Sequence, residues 1–221
     1  MLRELAHPDL LLGFVLAVLV GLFGHNLAQA WAARAFGDLA AAREGFLRPR
    51  WRQLEPLGVV AAALTVGAWG FPSKVPVETR FRRSRPRAAV ILLAGPVVLV
   101  VLTLLGVGVS QAVAPSGLGS GAFAYHVAVA YSTSIGGLTV MSLLPFPPLA
   151  LGRALWMWAP TSPGWSRARL ALEEESIGSI IAFAILLLPL LFNGLPDVVG
   201  QLEPPLLRHL DALLPGAHVF L

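Results

Sequence analysis

Four long apolar runs set the terms on which this chain can fold. They cover residues 10–36, 88–113, 122–144 and 177–195. At 1.5 Å of rise per residue, each reaches about 30 Å as a helix, the thickness of a bilayer's hydrocarbon core. Composition agrees with that reading. Of the 221 residues, 56% are hydrophobic and only 13% charged, whereas a soluble domain carries about 25% charged residues. A soluble globule of this size could not hide so much apolar surface. The expectation is an all-α integral membrane protein: a polytopic bundle of about four to five transmembrane helices plus one short or re-entrant hydrophobic segment. A soluble enzyme, a disordered tail and a nucleic-acid module are excluded. The formal charge of +4 marks cytoplasmic loops rather than a nucleic-acid partner. There is no cysteine, so disulfides, thiolate metal sites and cysteine nucleophiles are excluded too.

Between the long runs lie shorter pieces. The apolar run 57–71 has 15 residues, about 22 Å as helix and short of a crossing. It is followed by a loop carrying Lys74, Arg80, Arg82, Arg83, Arg85 and Arg87. Within that loop Lys74-Val75-Pro76-Val77 reads as extended, because each proline biases its predecessor away from helix. Residues 114–121 form an uncharged turn, and Pro145-Phe146-Pro147-Pro148 ends the third run. Residues 152–175 are polar and partly helical. The tail 198–214 mixes apolar and polar residues around Pro204-Pro205 and is expected on the membrane surface. The chain reads as a single membrane domain, 1–221, with a core at 8–158 and a C-terminal helix and interfacial tail at 166–221. The first run is too long for a signal peptide, and no small-residue cleavage site ends it.

Charge then orients the chain. If 57–71 is re-entrant, 14 of the 16 basic residues fall on one side, and only Arg3 and Arg208 on the other. The positive-inside rule places the 14 in the cytoplasm and the N-terminus outside, in a multi-pass protein of the cell membrane.

One polar group interrupts the first run. His25 and Gln29 stand at i and i+4 and share a face, with Asn26 beside them. Such groups in hydrocarbon are costly unless they meet partners inside the bundle. Their spacing is that of H-E-x-x-H, in which two histidines one turn apart bind zinc and the glutamate activates water. Further stretches follow in order: Gln53-Leu54-Glu55-Pro56-Leu57-Gly58, Ser73-Lys74-Val75-Pro76-Val77, Ala94-Gly95-Pro96, and Leu143-Leu144-Pro145-Phe146-Pro147-Pro148-Leu149 with Gly152-Arg153. With Phe23-Gly24-His25-Asn26-Leu27-Ala28-Gln29-Ala30-Trp31 and Phe36-Gly37-Asp38, they give a chain that resembles the small bacterial members of the site-2 protease family, intramembrane zinc metalloproteases.

The resemblance also locates departures. The family's catalytic glutamate falls at Asn26, its second histidine at Gln29 and its aspartate ligand at Ala150. Two family asparagines fall at Leu99 and Ser142. Only His25 remains of three zinc ligands. A catalytic zinc needs three good protein donors and an open position, and an amide cannot serve as general base. The expectation is therefore a protein that is not an enzyme and holds no zinc or other cofactor. It would bind or scaffold a transmembrane client through His25, Asn26, Gln29 and Ser142, with the lipid bilayer around it. A hydrolase with altered chemistry is the alternative, and a small transporter the third. The transporter lacks the usual signs, an intramembrane carboxylate and an inverted repeat.

Other features have bland readings. His25 can be a relic that bonds a neighbouring helix. Ser132-Thr133-Ser134 and Gly136-Gly137 read as a close-packing surface. His126 lies too far along its helix to share a metal site with Ala150. Trp51, Trp69, Trp156, Trp158 and Trp165 read as an interface belt, and Arg80–Arg87 as a topology signal with an anionic-lipid contact as an addition. Glu173-Glu174-Glu175 read as a solvated helix start.

Overall fold

A computed structural model describes residues 7–65, 70–77, 84–114, 122–160, 162–174, 177–192, 197–215 and 219–220. Arg3, Trp69, Arg80, Arg82, Arg83, Glu175 and most of the 114–121 turn, all used in the sequence reading, lie outside the described residues. Helix α1, Pro8–Ala35, starts on a proline, whose missing N–H is one the first turn cannot use. It ends where Gly37 takes φ 83°. There Gly37 N–H donates to Arg34 O at 2.9 Å and Asp38 N–H to Ala33 O at 2.8 Å, the two bonds of a Schellman stop. The short helix α2, Ala40–Arg43, follows at once, its first N–H held by Asp38 Oδ1 at 2.9 Å.

A 3₁₀ turn at Trp51–Gln53 leads to α3, Pro56–Leu64. With 9 helical residues, α3 is about 14 Å long and cannot cross a bilayer by itself. It stops at Thr65, whose hydroxyl donates back to Ala61 O at 2.8 Å. Residues 70–77 are non-helical and bury Phe71, Val75 and Val77. That matches the irregular path expected for Lys74–Val77.

Three long helices make the centre: α1, α4 (Arg85–Ala112) and α5 (Ala122–Ser142), each packed against the other two. Ala17, Leu22, Leu99, Ile135 and Leu138 fill the space between them. Hydroxyl pairs join α4 to α5: Thr103 Oγ1 to Thr139 Oγ1 at 3.0 Å, and Ser110 Oγ to Ser132 Oγ at 3.1 Å. The small-residue stretch of α5 is thus a packing surface. The described chain is helical, and two of its helices, α1 and α4, are long and apolar enough to cross a membrane.

Beyond α5 come α6 (Ala150–Leu155), a 3₁₀ turn at Trp156–Trp158, α7 (Pro163–Arg169) and a π turn at Leu170–Glu174. Trp156 packs edge-on against Trp165, while Trp51, Trp158 and Trp165 stay exposed. Helix α8, Ile177–Leu191, has 15 residues, about 22 Å, shorter than the run that suggested it. Helix α9, Val198–Ala212, is capped by Asp197, which accepts Gly200 N–H at 2.8 Å.

The tail helix α9 is laid against α5 and α4. Val199, Leu207 and Leu210 on α9 are buried. At its end, Asp211 is buried and accepts Gln111 Nε2 at 2.8 Å and the N–H groups of Val219 and Phe220 at 3.1 and 3.3 Å. Asp211→Ala takes that acceptor from three donors, at about 1–3 kcal/mol for a group left unsatisfied. The expected outcome is a lowered thermal midpoint in detergent, with faster proteolysis at the C-terminus. An unchanged midpoint and digestion pattern would mean that the clasp does not hold α9.

Candidate functional site

The polar group of α1 faces inward. His25, Asn26 and Gln29 are all buried. Each is held by a different neighbour, and the reasons are local. In α4, Pro96 has no N–H, so the carbonyl four residues earlier, Leu92 O, has no donor within its own helix. Gln29 Nε2 supplies one at 2.6 Å. The preceding residue is Gly95, and the His25 ring occupies the space where a side chain would stand. Thus the Ala94-Gly95-Pro96 stretch is a seat for α1: a glycine admits the imidazole and a proline frees a carbonyl for the amide. Asn26 turns toward the loops, its Nδ2 donating to Gln53 O at 2.9 Å and to Ser73 Oγ at 3.1 Å. His25 Nδ1 lies 3.4 Å from Asn26 Oδ1, and its Nε2 lies 3.5 Å from Gln29 Nε2.

His25, Gln29, Ser73, Ser142, Ala150 and Arg153 line one cavity of about 10 Å³. That is near the size that admits one water. Four positions chosen from the sequence, His25, Gln29, Ser142 and Ala150, therefore meet. Asn26 touches the group through Ser73, and Leu99 lies in the α1–α4–α5 core. Ser142 Oγ donates to Thr139 O at 2.8 Å. His126 stands at the opposite end of α5, bonded to Asp9 at 2.6 Å. Three participants were missed as site residues: Gln53, Ser73 and Arg153, which is buried with Nη2 donating to Val75 O at 3.2 Å. Each lies inside a stretch already matched to the family, so position within the motifs was the signal available.

The donor set does not fit a zinc ion. His25 is the one imidazole that lines the cavity. The amide nitrogens of Asn26 and Gln29 are committed to Gln53 O and Leu92 O, leaving neutral oxygens as weak donors. Position 150 offers a methyl group. Among the described residues no three His, Cys, Asp or Glu side chains converge on one point. Zinc sites with an open position use three imidazole, carboxylate or thiolate ligands, a set these residues do not supply.

The chain is 29% identical over 203 residues to Putative zinc metalloprotease YwhC of Bacillus subtilis (strain 168), covering 85% of this chain and 86% of that protein. No family model and no solved structure matches it. The relation with YwhC corrects one expectation. Reading the chain as a non-enzyme rested on missing donors at Asn26, Gln29 and Ala150. A relative along most of its length carries the name of a zinc metalloprotease, which points to protease activity, and no observation positively marks this chain as non-enzymatic. The loss of familiar ligands at three positions is a statement about one mechanism, not about all activity.

Proposed function

We propose that this is a metalloprotease-like membrane protein that engages the transmembrane segment of a client beside the buried group of His25, Asn26, Gln29 and Ser142, which opens to admit it. In this reading α1, α4, α5 and the 177–195 run cross the bilayer, the N-terminus is outside and the basic loops are cytoplasmic. The observation that carries it is the state of the α1 polar group. Three polar side chains lie buried on an apolar helix, and the amides of Asn26 and Gln29 each have directed partners. Burying polar groups in a bilayer is costly, and here they converge with Ser142 and Ser73 on one cavity.

Hydrolysis of the engaged client is the second reading, favoured by the relation with YwhC. One experiment addresses both. A photo-crosslinking residue at position 143, which is exposed beside Ser142, is activated in native membranes. The expected result is one crosslinked membrane protein whose yield falls severalfold in Gln29→Leu and Asn26→Leu. A shortened form of the same client, lost on adding a chelator, supports hydrolysis. No crosslinked membrane protein, or a yield indifferent to both substitutions, overturns client engagement.

A further inference from the structure

At the end of the bundle where α1 begins, the three central helices do not close. A groove of about 520 Å³ runs between them, lined by Leu12 and Leu16 of α1, Leu105 and Val113 of α4, and Phe123 and Val127 of α5. It opens outward: Leu105 is 60% exposed and Val109 53%. Its back is shut because Gly13 lets α1 press directly on the backbone of α5 at Val127. Its inner end is shut where Tyr131 packs against Gly106.

We propose that this groove seats one acyl chain of a zwitterionic phospholipid, a site independent of the client face. Length selects the occupant. From Leu105 to Val113 the groove covers eight residues of helical rise, about 12 Å. One leaflet of a ~30 Å core is about 15 Å deep. An acyl chain ends within that depth, whereas a transmembrane partner helix must continue past it, across the place where Tyr131 closes the groove. Depth agrees: the apolar run of α1 begins at Leu10 and that of α4 ends at Val113, so the outer end of the groove lies at the hydrocarbon boundary.

Charge selects the headgroup. Asp9 stands one turn before Leu12, and His126 stands next to Val127. The two join the first turn of α1 to α5 at 2.6 Å, beside the residues that line the groove, with the His126 side chain 50% and that of Asp9 13% exposed. A carboxylate and an imidazole side by side offer an acceptor for an ammonium and a donor for a phosphate. An anionic headgroup without an amine meets only half of that pair and is repelled by the carboxylate.

The test uses the full chain, delipidated in mild detergent and titrated with palmitoyl-oleoyl phosphatidylethanolamine or phosphatidylglycerol. Lipid retained per chain is read by native mass spectrometry. Wild type is expected to hold one phosphatidylethanolamine. Val109→Trp, which fills the groove, is expected to lower the apparent affinity about tenfold, and Leu12→Trp gives an independent block. Val90→Trp, at another exposed position on α4, is expected to leave retention unchanged. A melting curve for each variant confirms folding. Asp9→Ala is expected to abolish the preference for phosphatidylethanolamine. Equal retention by Val109→Trp, Leu12→Trp and Val90→Trp overturns the groove as the seat. An unaltered headgroup preference in Asp9→Ala overturns the headgroup assignment.

Discussion

Gly95→Ala is expected to destabilise the protein by about 1–3 kcal/mol, as overpacking does in a filled core. The largest part of that loss should disappear when His25 is shortened as well. A methyl group at position 95 would lie within 2.8 Å of three atoms of the His25 ring, closer than carbon atoms approach without displacement. The ring cannot swing aside freely, because it is buried between Gly95 and the Asn26 and Gln29 amides. Either α1 moves off α4 or His25 changes rotamer. Moving α1 also stretches the 2.6 Å bond from Gln29 to Leu92 O, the carbonyl that Pro96 leaves without a helical donor. His25→Ala alone opens a cavity and costs stability of its own. In the double variant the new methyl falls into that cavity. The cycle should therefore show a coupling of about 1–3 kcal/mol between the two positions. The measurement is the unfolding midpoint in detergent for all four proteins. Strict additivity would mean that the imidazole does not rest on Gly95.

How much of this was readable beforehand depended on the range of the interaction. The α1 polar face is a local pattern, and i to i+4 spacing alone put His25 and Gln29 together. That Pro96 frees the carbonyl of Leu92 also follows from local rules. That Gln29 is the group which fills it depends on packing between residues 63 apart in sequence, and no periodicity encodes that. The same limit explains α9. Mixed apolar and polar residues suit a helix lying on lipid and a helix lying on another helix equally well. The contact that ties the end of α9 to the bundle joins Gln111 to Asp211, 100 residues apart. Hydropathy reports what a segment is made of, not where its helix stops. Thr65 ends α3 after 9 residues although apolar residues continue past it. The reading of the chain as a non-enzyme failed differently. It took each missing ligand singly, whereas relatedness along 203 residues weighs the whole chain.

Restoring the absent donors should give the chain a metal. In Asn26→Glu, Gln29→His, Ala150→Asp, the imidazole introduced at position 29 shares a helix face with His25. The carboxylate introduced at position 150 enters the cavity that both already line. Two imidazoles and a carboxylate with an open fourth position form a catalytic-type zinc set. The triple variant is expected to purify with about one zinc per chain by elemental analysis. Reverting position 150 to alanine should remove most of it. Without metal the triple variant should be the less stable protein. It gives up the amide donors to Gln53 O and Leu92 O, each loss being worth about 1–3 kcal/mol where the partner stays buried. Zinc should then raise its unfolding midpoint, because a ligand bound to the folded state alone contributes RT ln(1 + [L]/Kd), about 4 kcal/mol at a thousandfold excess over Kd. The stabilisation should be absent in wild type, whose two amides already hold α1 to the loops and to α4 by hydrogen bonds. A triple variant that takes up no zinc at any concentration, while still folded, would show that His25 and position 150 are not the two sides of one metal-sized cavity.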